Sequence, residues 1–220
     1  MTDIFREIDE EVRRDKAAAV LKKYGNVFIA IAVLAVGGVA GWQFWQQQQR
    51  KQAEAFGAKF EAAMRASRDN DAAAAEATLT DLAANAPAGY RLLSRFRLAA
   101  EVGKRDPAAG ATAFDALAND ASLDQYHREL ARLRSGLLRV DLVPYAELRK
   151  ELEPLVTPTG LWRHSAREFL GISALKADLF DDAGRWFDAV VSDPQSPQVL
   201  RQRVELYLTL VRGGPVTIKN

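Results

Sequence analysis

The chain has 220 residues, and its thirty lysines and arginines nearly balance twenty-nine aspartates and glutamates, for a net charge of +1. A field that weak does not recruit nucleic acid or an anionic surface, and with no cysteine there is neither a disulfide nor thiolate chemistry. Hydrophobic residues make up 48% of the chain, and they are not spread evenly.

The N-terminal segment 1–26, "MTDIFREIDEEVRRDKAAAVLKKYGN", carries six acids beside six bases. Ile4, Phe5, Ile8 and Val12 give it an amphipathic stripe suited to the cytoplasmic membrane surface or to a cytoplasmic partner. Its mixed charge argues against strong lipid binding. The next stretch, "VFIAIAVLAVGGVAGWQFW" at 27–45, has no charge and one strongly polar side chain, Gln43. As a helix it rises about 28 Å, close to the roughly 30 Å of a bilayer's hydrocarbon core. Gly38-Val39-Ala40 has cleavage-like small residues, so a removable export signal is the rival reading. Against it, the lead-in lacks the short, positive character of a signal. The apolar run also continues to Trp42, Phe44 and Trp45, with Tyr24 at the other end, as at membrane–water interfaces. The expectation is an uncleaved transmembrane helix.

Arg13, Arg14, Lys16, Lys22 and Lys23 precede that run, and Arg50, Lys51, Lys59 and Arg65 follow it, a weak positive-inside bias. A short N-terminus retained inside places the long C-terminal part outside the cytoplasm, which in a bacterium is the periplasm. Gly37 and Gly41, with Gly38 beside them, form a Gly-x-x-x-Gly face. That spacing lets a second membrane helix approach closely, while glycine is also simply commoner in membrane helices. Both readings stand.

From 46 to 212 the periodicity is helical throughout, leaving a short tail at 213–220. Phe56, Phe60 and Met64 recur every four residues, so the helix from the span is predicted to continue to about Arg68. Breaks follow at "RDND", "NAPAG", "GKRDP", "NDAS", "DLVP", "TPTG", "LFDD" and "SDPQSP". Between them lie the stripes Tyr126, Leu130, Leu133, Leu137, then Tyr145, Leu148, Leu152, Leu155, and Leu200, Val204, Tyr207, Leu208, Val211. No segment alternates with a period of two, so the fold class is all-α. Tyr90, Tyr126 and Trp162 each open a helix, thirty-six residues apart, and the next begins near Val199. "DAAAAEATLTDLAANAP", "DPAAGATAFDALANDAS" and "DDAGRWFDAVVSDPQSP" are successive copies of a second helix, with Leu79 and Leu82, Phe114 and Leu117, Phe187 and Val190 in matching places. Such a period means a solenoid of helical hairpins, each burying its inner face on the next.

The small-residue and aromatic patterning resembles tetratricopeptide repeats, with a slightly long step and without the full Trp-Leu-Gly-Tyr signature. The lead-in "EEVRRDKAAAVLKKYGN" and the exit "GWQFWQQQQ", above all Gly41 to Trp45, extend the likeness. Over essentially its whole length the chain resembles the YfgM-like family. That resemblance implies a single-pass protein of the bacterial inner membrane with a periplasmic repeat domain. It also implies association with the Sec translocon and a membrane-bound periplasmic chaperone, and assistance to newly exported proteins.

No Gly-rich phosphate loop, nucleophile elbow or metalloprotease motif occurs. His127 and His164 fall at nearly equivalent repeat positions but have no other residues at metal-ligand spacing. An enzyme, a cofactor and a metal are therefore not expected. Three arginine pairs, Arg91 with Arg95, Arg128 with Arg132, and Arg163 with Arg167, recur on successive first helices. They form either a ladder up a concave groove, suited to carboxylates of a partner, or a solvated face with local partners such as Glu101 for Arg97. The expected function is a membrane-anchored protein-binding scaffold or chaperone-type factor. The alternative is a signalling adaptor whose N-terminal helix sequesters a cytoplasmic regulator.

Overall fold

The computed structural model describes the backbone of residues 3–214, with side chains from Val33 onward and a handful before it. The helices are α1 (Asp3–Arg68), α2 (Ala72–Asn85), α3 (Ala88–Arg105), α4 (Pro107–Ala118), α5 (Gln125–Arg139), α6 (Tyr145–Leu152), α7 (Arg163–Lys176), α8 (Phe180–Val191) and α9 (Gln198–Gly213). A 3-10 turn, Glu153–Leu155, extends α6. Among the described residues there is no strand. The chain divides into two compact units, Met1–Ala55 and Phe56–Asn220.

In the first unit, α1 carries the exposed side chains of Val33, Leu34, Val36, Val39, Trp42, Phe44 and Trp45. Gly37, Gly38 and Gly41 stand among them with nothing within 4 Å of an added Cβ. Among the described residues no helix is long and apolar enough to cross a membrane. The expected span 27–45 is described only in part, since the side chains at 28–30 and 32 lie outside the described residues. So do the side chains of the stripe Ile4, Phe5, Ile8 and Val12, and residues 215–220 of the tail.

In the second unit the breaks are built by capping and turn chemistry. Asp71, Asp106 and Asp124 accept hydrogen bonds from the backbone N–H groups of Ala74, Ala109 and His127 at 3.0, 3.0 and 2.9 Å. Each satisfies a donor that a helix start leaves unpaired. Pro87, Pro144 and Pro197 immediately precede α3, α6 and α9. Asn70 and Asp178 take φ of 60° and 58° in the turns joining α1 to α2 and α7 to α8. Their short polar side chains tolerate that left-handed geometry better than most residues do.

The second helices bury the paired positions read from the repeat. Leu79 and Leu82 of α2, Phe114 and Leu117 of α4, and Phe187 and Val190 of α8 all lie in the interior. The hairpins close where a first helix is small. An added Cβ on Gly136 would stand 2.6 Å from Leu152, and one on Gly171 would run into the ring of Phe187. Between α3 and α4 the approach is backbone to backbone, Gly103 against Gly110.

One stripe is placed differently from the expectation. On α5 the buried residues are Ala131, Leu133, Ser135 and Gly136, while Tyr126 and Leu137 are exposed and Leu130 is half-buried. Close crossing by the next helix selects the small face for the core. Leu133 is buried with it, and Tyr126, Leu130 and Leu137 are left on other sides.

Candidate functional site

Those displaced apolar residues form a groove along successive first helices. Phe60 and Met64 near the end of α1, Leu92, Leu93, Phe96, Arg97 and Ala100 of α3, and Tyr126, His127, Leu130 and Arg134 of α5 line it, with Phe114 of α4 at its floor. Its volume is about 480 Å³. Aromatic contacts run along it: Phe60 to Tyr90 at 6.3 Å between ring centroids, Phe96 to His127 at 6.3 Å, and Tyr126 to Trp162 at 5.3 Å. Leu93 is 55% exposed and Tyr126 46%. No carboxylate lines the groove.

The charged lining is uneven in its partners. Arg97 donates to Ser67 Oγ at 2.9 Å and pairs with Glu101 at 2.6 Å, while its Nε, though buried, has no hydrogen bond. Glu101 is only 3% exposed. Burial alone raises its pKa, but hydrogen bonds from Lys104 and Ser67 and the charges of Arg97 and Lys104 bring it below the usual value. Arg134 is exposed and takes part in no hydrogen bond or ion pair among the described residues.

The six arginines of the first helices have separate surroundings. Arg95 pairs with Asp120, in the turn after α4, at 2.6 Å. Arg163 is buried; its Nε donates to Asp193 at 3.0 Å and its Nη2 to Gln195 at 2.7 Å. Arg167 donates to the carbonyl of Ala189 at 3.0 Å and pairs with Asp193 at 3.3 Å. Asp124, whose pKa is lowered first by the hydrogen bond from the backbone N–H of His127, also feels the charge of Arg128 nearby. Arg132 borders a second hollow, of about 460 Å³, with Arg139, Lys150, Asp115 and Glu151. There Arg139 bridges Asp115 and Glu151. Arg91 is exposed and, among the described residues, makes no ion pair.

His127 contacts its own cap, Asp124, at 2.8 Å. His164 is 7% exposed, and its Nδ1 has no hydrogen bond and stands 3.8 Å from Asp193. Among the described residues no group of three potential ligands is arranged to hold a metal ion.

The groove residues Leu93 and Phe96 of α3 are the part that sequence reasoning missed, while Leu130 was read as part of the apolar stripe of α5. The signal on α3 was the apolar spacing of Leu92, Leu93 and Phe96. The family model for a tetratricopeptide repeat-like domain matches residues 19–205. No curated protein and no solved structure matches the chain.

Proposed function

The chain belongs to the tetratricopeptide repeat-like domain family, and from that premise we propose that it is a membrane-anchored, non-enzymatic scaffold that binds exported proteins beside the Sec translocon. A repeat fold of this kind supports protein–protein interaction, because stacked helix pairs present an extended binding face. The anchor reading is supported by the uncharged run 27–45 and by the exposed apolar residues from Val33 to Trp45. At 100° per residue these positions point to every side of α1, and a helix apolar all round needs either a protein core or lipid around it. The translocon, the membrane-bound chaperone and the periplasmic placement rest on the YfgM-like lead-in and the Gly-Trp-x-aromatic-Trp exit. In this reading Gly37, Gly38 and Gly41 face a partner helix, and the arginines without acidic partners, Arg91 and Arg132, meet carboxylates of bound proteins.

The observation that carries the binding reading is the open apolar groove on the first helices. Site-specific photocrosslinking from Leu93 and Leu130, in membranes translocating a secreted precursor, tests it. Crosslinks to the precursor or to a translocon subunit are expected, with the chain retained in the pellet after alkaline carbonate extraction. Release into the carbonate supernatant would reject the anchor. Crosslinks no stronger than those from Glu205, exposed on α9, would reject the groove.

A further inference from the structure

We propose that the groove between α1, α3 and α5 takes an amphipathic helical segment whose apolar stripe is flanked by carboxylates. This inference rests on the protein-binding reading and names the class of partner. The apolar half follows from Leu93, Phe96, Tyr126 and Leu130, which stay in contact with solvent although the chain has a core to bury them in. A contiguous apolar patch of that kind marks an interaction surface. Its size lies in the range, roughly 300–1,000 Å³, of sites that swallow a few large side chains. A trough between neighbouring helices suits a third helix, whose anchors recur at i, i+3 or i+4, and i+7.

The acidic half follows from charge complementarity. The lining holds two guanidiniums and an imidazole but no acid. Elsewhere on the first helices the chain supplies its own carboxylates, Asp120 for Arg95 and Asp193 for Arg163 and Arg167. At the groove Arg97 has Glu101 at 2.6 Å, but Arg134 is supplied with none. A carboxylate on the ligand can reach and complete Arg134, whose guanidinium is exposed. An apolar segment flanked by lysines would meet only like charge there.

The test uses the full-length chain in nanodiscs and three fluorescent peptides of equal length. One has a leucine stripe flanked by glutamates, one the same stripe flanked by lysines, and one the acidic composition scrambled to destroy the stripe. Anisotropy should show the acidic striped peptide binding best, with an affinity that falls as salt rises. Arg134→Glu should weaken it roughly fivefold and improve binding of the lysine peptide. Leu93→Asp, at an exposed position, should weaken every striped peptide without lowering the melting temperature. Equal affinity for the acidic and lysine peptides, or no effect of the charge reversal, overturns the inference and leaves protein binding standing. Binding of none of the three also overturns it, while crosslinks to exported precursors would keep the broader reading. Full displacement of the acidic peptide by equimolar laurate would make the groove a fatty-acid site and equally overturn a helical occupant.

Discussion

Asp193 ties the turn between α8 and α9 to α7. Its carboxylate accepts from Arg163 and from the backbone N–H of Gln195, and these bonds keep its pKa well below the usual carboxylate range. Asp120 plays the same part after α4, held at about 2 by Ser122 and Arg95. Both groups are depressed on folding, so what they contribute is complete above the ordinary carboxylate pKa of about 4 and is lost as pH falls from there. His164 acts in a milder range. Burial, then the charge of Arg163, lowers its pKa, so the folded chain resists a proton that the unfolded chain accepts near pH 6.5. The unfolded state then binds more protons, and stability drops as pH falls below that value. The melting temperature should therefore decline between pH 7 and pH 5, and His164→Gln should flatten that decline. An identical slope in the variant would mean that other groups cause it.

Helix pairs in this fold approach each other through glycines, and Gly110, at such a crossing, and Gly89, away from any, make opposite predictions. An added Cβ on Gly110 would meet the backbone of Gly103, with Gly103 N at 2.8 Å and Leu138 at 3.0 Å. Backbone cannot yield as a side-chain tip can, so α3 and α4 must separate. Gly110→Ala should cost roughly 1–3 kcal/mol from overpacking, against a gain of up to about 1 kcal/mol in helix propensity. Gly89, in the first turn of α3, has nothing within 4 Å of an added Cβ. Gly89→Ala should therefore be neutral or slightly stabilising. Urea midpoints of the two variants check the pair, and equal shifts would sink the close-crossing account.

Along the solenoid, stability is a sum of neighbouring terms rather than a property of one core. Two clusters stand in the interior beside the Leu79 and Leu82 layer of α2, one of Ala99, Phe114, Leu117, Ala118 and Ala131, and a larger one running from Leu133 to Leu208 around Phe187. Phe187 is fully buried beneath Gly171 and stacks on Tyr207 with centroids 5.3 Å apart. Phe187→Ala should cost about 3–5 kcal/mol, and the loss should be local. Hydrogen exchange is expected to speed up in α7, α8 and α9 while α2 and α3 keep their protection. Uniform acceleration from α2 to α9 would show a single cooperative unit instead.

Helix identity, the hairpin period and the paired core positions from Leu79 to Val190 were legible in the sequence. Apolar spacing of 3.6 residues and aspartate or proline at helix starts act locally, wherever the chain is. The side of α5 that turns inward was not legible, because α5 has both a large apolar stripe and a small one, Ala131, Ser135 and Gly136. Only the packing of α4 on Ala131 and Ser135 and of α6, with Leu152 against Gly136, chooses between them and leaves Tyr126 and Leu130 to the groove. The arginine partners follow the same rule. Asp193 lies 30 and 26 residues from Arg163 and Arg167, and hairpin closure is what brings the carboxylate to both. Local periodicity determined the elements of this protein. Tertiary packing decided which side chains remained for binding, because burial and pairing depend on neighbours that are distant in the chain.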